Sequence, residues 1–135
     1  MAWPLPLEPW STSSLESLRA MATEPLEVER LEQGVLSIRG PLTMENISPF
    51  LNAVRRETAP TVILDLSGVP YVDSSGLGSL VSACTSCTKS GRRMALTGVN
   101  RRVMKVFEIT KTDNVFLMFP TLGDAIEAFT NAGSA

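Results

Sequence analysis

The stretch Val62-Ile-Leu-Asp-Leu-Ser-Gly-Val-Pro-Tyr-Val-Asp-Ser-Ser-Gly-Leu-Gly78 leaves this chain few ways to fold. Thr61 to Leu66 is apolar, rich in β-branched residues and too short for a helix, which is the pattern of a strand buried on both faces. Ser67-Gly68-Val69-Pro70 then breaks the strand. Asp73 is a natural N-cap, and Leu77, Leu80, Val81 and Cys84 recur at helical spacing, so the pattern predicts a helix starting at Ser74 or Ser75. Such a strand, loop and helix form the first half of a right-handed crossover, with the strand in parallel pairing and the helix packed on the sheet.

The flanking sequence extends the pattern. Leu26 to Arg30 and Val35 to Arg39 read as strands around Glu32-Gln-Gly34, a hairpin signal. Leu42 to Thr58 reads as a helix, with Ile47, Phe50, Leu51 and Val54 toward the core and Arg55, Arg56 and Glu57 toward water. Met94 to Thr97 is another buried strand, Asn100 to Ile109 a helix capped by Asn100, Val115 to Met118 a last strand and Thr121 to Asn131 a final helix. The expected fold is therefore α/β, a mixed sheet of about five strands with about four helices. No internal repeat is evident.

Residues 1–24 differ in character. Pro4, Pro6 and Pro9 fall close together, Ser11-Thr-Ser-Ser14 follows, and Leu15 to Met21 has the makings of a short helix. Trp3 and Trp10 are the only tryptophans; docking on the domain, docking on a second copy and no structural role all remain open for them. The expected organisation is a partly mobile N-terminal extension over 1–24 and one domain over 25–135.

Composition removes several function classes. With 12 basic and 14 acidic residues and a net charge of −2, the chain has no strong field for nucleic acid or an anionic membrane. No apolar run approaches the roughly 20 residues of a spanning helix. Met1-Ala-Trp-Pro-Leu-Pro-Leu-Glu8 lacks the basic start and apolar core of a signal peptide, so the expectation is a cytoplasmic protein. The absence of histidine rules out a serine–histidine pair, and no Gly-x-Ser-x-Gly elbow surrounds Ser74 or Ser75, so no catalytic residue is assigned. Cys84 and Cys87 form a Cys-x-x-Cys inside a helix, too few ligands for a zinc site within one chain, and read as a core Cys84 with a partly exposed Cys87. No glycine-rich phosphate loop is present, and no metal or other cofactor is expected. Arg92, Arg93, Arg101, Arg102, Lys105 and Lys111 are spread over a strand, a helix and a loop, which reads as solvated surface.

Two hydroxyls remain, on the first turn of the central helix. Backbone N–H groups are unpaired there and the helix dipole favours negative charge, so a phosphate on Ser75 suits its position, although the Asp73 carboxylate opposes it. The plainer reading is that Asp73 and Ser74 cap the helix while Gly76 and Gly78 allow close packing.

Asp73-Ser-Ser-Gly-Leu-Gly78, with Gly91-Arg-Arg-Met-Ala-Leu-Thr-Gly98 and Val103-Met-Lys-Val-Phe-Glu-Ile-Thr110 in order behind it, resembles the STAS domain of anti-sigma factor antagonists over roughly residues 26–132. The resemblance implies that Ser75, the second serine, is the phosphorylated residue, and that the surface around Asp73, Ser74, Ser75, Gly76 and Leu77 binds the partner. It implies an anti-sigma factor serine kinase as that partner, sequestered so that a sigma factor is released, and a metal-dependent serine phosphatase that reverses the modification. Other uses of the same domain are a scaffold subunit of a stress-sensing assembly, where self-association matters, and an accessory subunit of a lipid-transport ATPase. The lack of a membrane segment sets the chain apart from the sulfate-transporter class.

Overall fold

A computed structural model describes residues 25–134. Strand β1 (Glu27–Glu32) and strand β2 (Val35–Arg39) form an antiparallel hairpin. Helix α1 (Ile47–Arg56), strand β3 (Thr61–Gly68), helix α2 (Ser74–Lys89), strand β4 (Arg93–Thr97), helix α3 (Arg101–Thr110), strand β5 (Leu117–Phe119) and helix α4 (Leu122–Ser134) follow. The sheet order is β1-β2-β3-β4-β5, and every pairing after the hairpin is parallel. The expected mixed α/β sheet of five strands with four helices is thus present among the described residues. Trp3, Trp10 and the short helix expected over 15–21 lie outside them.

β3 sits at the centre because it can be buried on both faces. Val62, Leu64 and Leu66 point into the larger core with Phe50 and Val54 of α1, Leu77, Leu80, Ala83 and Cys87 of α2, and Val103 and Phe107 of α3. Ile63 points the other way, onto Ala125 of α4, so this strand of period two is sandwiched between layers. A hydrophilic Asp65 is tolerated on that second face because its Oδ1 accepts from the Ser67 N–H at 3.2 Å and the Thr97 hydroxyl at 3.3 Å.

Four local expectations are corrected. Helix α1 starts at Ile47 rather than Leu42, because Leu42 pairs with Val72 as an isolated bridge and the Asn46 side chain ties the intervening turn. Its Oδ1 accepts from both the N–H and the hydroxyl of Thr43 while its Nδ2 donates to the Pro41 carbonyl, so local bonds displace the first helical turn. β5 starts at Leu117 rather than Val115, because Lys111 ends α3 in the left-handed region (φ 60°) and the Val115 N–H closes a turn on the Thr112 carbonyl. The cysteines exchange roles: Cys87 is buried, and Cys84 is half-buried with its thiol 3.6 Å from the Val115 carbonyl. Cys87 continues the buried stripe Gly76, Leu80, Ala83, while Cys84, four residues after Leu80, packs against the core with its side chain partly exposed.

The fourth correction is Glu57, which faces the interior. Its Oε2 accepts from Arg30 Nε at 2.9 Å and its Oε1 from the Ala59 N–H at 3.2 Å, while Arg92 donates to the Glu57 and Ala59 carbonyls. Burial pushes this carboxyl up, but Arg30 and the N–H groups of Ala59 and Gly34 together outweigh that and hold it below its usual range. Removing the carboxylate leaves the buried Ala59 N–H unmet, while the exposed Arg30 side chain turns to water, so Glu57→Ala is expected to cost about 1–3 kcal/mol in urea unfolding at neutral pH. A carboxyl lowered in the folded state stabilises fully above its unfolded value of about 4.3, and that contribution is lost as pH falls through the lower folded value. The difference between Glu57→Gln and the parent should therefore shrink on acidification through that window; a constant difference would contradict the assignment.

Candidate functional site at the start of helix α2

The loop between β3 and α2 is held as an extension of the sheet. The Gly40 N–H donates to the Gly68 carbonyl at 2.9 Å, the Leu42 N–H to the Tyr71 carbonyl at 3.1 Å, and the Asp73 N–H to the Leu42 carbonyl at 3.2 Å. Val69 and Val72 anchor the loop in the core from beneath. The strand end therefore aims the helix start at a fixed place, beside the segment Gly40 to Met44.

Asp73 then joins the two. One oxygen accepts from the Gly76 N–H at 2.8 Å, the N-cap bond expected from the sequence, and the other accepts from the Met44 N–H at 3.1 Å. Ser74 and Ser75 occupy the first two helical positions, and their N–H groups have no partner among the described residues, as at any helix start. Ser74 is exposed and Ser75 half-buried. Ser79, the next serine, is buried and its hydroxyl is committed to the Gly76 carbonyl at 2.7 Å.

The five residues expected to form the site are brought together, but they do not all reach its surface. Gly76 and Leu77 are buried and hold the turn from below, leaving Asp73, Ser74 and Ser75 to face outward. Gly76 is required by contact: a Cβ there would lie 1.9 Å from the Leu42 carbonyl oxygen. Gly78 meets nothing within 4 Å, so the packing role expected for it is corrected. It lies off the buried stripe that runs from Gly76 through Leu80 and Ala83, a spacing visible in the sequence.

Three features around the site leave no mark in the sequence. Met44 projects into solvent at 68% exposure directly after the residues that contact α2. Asn100 caps α3 through Oδ1 and uses Nδ2 to donate to the Val69 and Pro70 carbonyls, which fastens α3 to the loop. The Arg102 guanidinium lies over the Tyr71 ring, 5.1 Å from its centre. Among the described residues no group of His, Cys, Asp and Glu is arranged to hold a metal ion. What the arrangement offers is a helix start pinned by Asp73, with Ser74 exposed and Ser75 half-buried on its first turn.

A family model described as the STAS domain matches residues 23–125. The chain belongs to the STAS domain family. The anti-sigma-B factor antagonist of Staphylococcus aureus is 28% identical over 68 residues, which are 50% of this chain and 63% of that protein. The STAS chain thus spans about three-fifths of the length of the curated relatives it matches. An anti-sigma factor antagonist from Mycobacterium paratuberculosis of known crystal structure covers 76% of this chain and 91% of its own, with a TM-score of 0.63 and 27% identity. A sulfate transporter family protein from Wolinella succinogenes covers 95% of this chain and 99% of its own, with a TM-score of 0.66 and 20% identity, a likeness of fold alone. One STAS framework thus carries proteins of different names, and function must be argued from the start of α2. No helix among the described residues is long and apolar enough to cross a membrane.

Proposed function

We propose that this STAS domain is an anti-sigma factor antagonist switched by phosphorylation at Ser75. In the unmodified state the surface of Asp73, Ser74 and Ser75 docks on an anti-sigma factor that is itself a serine kinase, and the sigma factor it held is released. The kinase transfers the γ-phosphoryl group of ATP to Ser75 Oγ, the hydroxyl proton leaves to a base on the kinase, and the modified domain dissociates. A serine phosphatase hydrolyses the phosphate and restores the binding form. In this scheme the chain is a binding module and a substrate, not an enzyme, and it works in the cytoplasm.

One observation carries the reading: Ser75 is a reachable hydroxyl on the first turn of a helix whose start is fixed on both sides by Asp73. A preformed surface needs no ordering on binding, so its affinity depends on what is displayed. A phosphate brings about −1.5 to −2 charges at neutral pH. The helix dipole accommodates them in the free domain, while a packed interface does not. The switch is local, with the fold unchanged.

Phosphotransfer tests this. Incubated with ATP and the serine kinase retained by the Ser75→Ala chain, the parent should gain one phosphate, Ser74→Ala should still gain it, and Ser75→Ala should not. Modification of Ser75→Ala at Ser74 would overturn the assignment.

A further inference from the structure

Helix α3 breaks a local rule in a place where the fold does not require it. Arg101 and Arg102 occupy its first turn, which contains no acidic residue, so two cations oppose the positive end of the helix dipole. The chain as a whole is acidic, yet residues 101–111 carry Arg101, Arg102, Lys105 and Lys111 against Glu108 alone. Departures from local consistency of this kind mark functional surface more often than scaffold.

Two of these cations, Arg101 and Lys105, border a groove. A hollow of about 530 Å3 lies against α3, with Arg101, Lys105 and Glu108 at its rim and Val99 and Met104 in its floor. A second hollow of about 230 Å3 shares Val99 and Met104 and continues over Met118 and Phe119 at the end of β5. Its floor stays open because β5 is an edge strand paired only with β4. The groove lies at the carboxyl ends of the strands, the side from which α2 also starts. Asn100 and the Arg102–Tyr71 contact fasten α3, which lines the groove, to the loop before Ser75, so groove and switch share one end of the sheet.

We infer that the groove between α3 and β5 docks an acidic segment of the partner protein that carries an apolar side chain at its tip. The inference rests on the Ser75 reading for the identity of the partner. An apolar floor and a rim of two cations against the one carboxylate of Glu108 fit carboxylates flanking a Leu- or Phe-like anchor, with Arg101 and Lys105 placed to meet them. The same charge logic gives the switch its direction. A phosphate on Ser75 adds negative charge at the same end of the sheet as a bound segment that is already negative, so modification repels the partner rather than recruiting it.

The test uses the full chain, isotope-labelled, and a synthetic amphipathic helix with glutamates on one face and leucines on the other. Amide shifts should concentrate at Val99, Met104, Lys105, Met118 and Phe119, and the doubly reversed Arg101→Glu, Lys105→Glu chain should bind about tenfold more weakly with an unchanged thermal midpoint. Shifts elsewhere, or none, overturn the inference, as does a response to anionic phosphatidylglycerol vesicles without one to the helix. The serine kinase then separates the two readings. Weaker binding by the charge-reversed chain with no effect of Ser75→Asp keeps the groove and removes the switch; the reverse pattern keeps the switch and removes the groove.

Discussion

Gly76→Ala is expected to destabilise the domain by about 3 kcal/mol, against a gain of up to about 1 kcal/mol for Gly78→Ala two residues further on. A Cβ at position 76 would sit 1.9 Å from a carbonyl oxygen of the backbone at Leu42, which no side-chain rotation can relieve. Leu42 is fully buried and bonded on both sides, by its N–H to Tyr71 and by its carbonyl to the Asp73 N–H, so the helix must move instead. That movement would also strain the Asp73 bonds to Gly76 and Met44, so partner binding should fall together with stability. At Gly78 nothing lies within 4 Å, and only the helix propensity changes. Urea unfolding of the two variants at neutral pH measures both effects; similar values for the pair would refute the packing described for the helix start.

Ser75→Asp is expected to weaken binding of the anti-sigma partner by about a hundredfold relative to Ser75→Ala, which corresponds to roughly 2.7 kcal/mol. Like charge and desolvation in a packed interface each cost an amount of that order. The same substitution should leave the thermal midpoint close to that of the parent, since a carboxylate on the first helical turn meets the favourable end of the dipole while Asp73 opposes it. Loss of binding with an intact fold is the signature of a local switch. Titration calorimetry checks the first part and calorimetric unfolding the second. Raising salt should recover part of the Ser75→Asp affinity, because exposed charges are screened over about 8 Å at physiological ionic strength. Equal affinities for the two variants would sink the mechanism.

The parts of the fold that were legible in the sequence are those set by periodicity. β3, α2 and β4 have unambiguous patterns, and Asp73 and Asn100 both cap the helices they were expected to cap. The start of α1 is not legible in the sequence, because the propensity of 42–46 is overruled by the Asn46 side-chain bonds to Thr43 and Pro41 and by bonds to residues far along the chain, from Leu42 to Tyr71 and from Met44 to Asp73. Glu57 was placed on the wet side because it lies next to Arg55 and Arg56. Its partners are Arg30 on β1, Gly34 in the hairpin turn and Ala59 just beyond the helix, and such contacts leave no mark on the periodicity of the helix itself. Gly78 falls off the buried face by spacing from Gly76, whereas Cys84 and Cys87 both fit that face by spacing and only the packing tells them apart.

The site divides in the same way. The motif placed Ser75 on the first turn, while the reason the turn is rigid lies in Leu42 and Met44, on a segment whose sequence does not advertise it. In the sequence, the cations of α3 read as scattered surface charge. Only the sheet order, with β5 at the edge, lays Met118 and Phe119 beside Met104 and turns two rim cations into one side of a groove.

The central claim is that Ser75 is the residue the cell modifies. Intact-mass analysis of the full chain purified from its own host, with fragmentation to locate any phosphate, tests it most directly. A fraction of the protein heavier by one phosphate, placed on Ser75 and varying with growth condition, is the predicted result. A phosphate on Ser74 or elsewhere, or an unmodified chain under every condition in which the partner is bound and released, would contradict it.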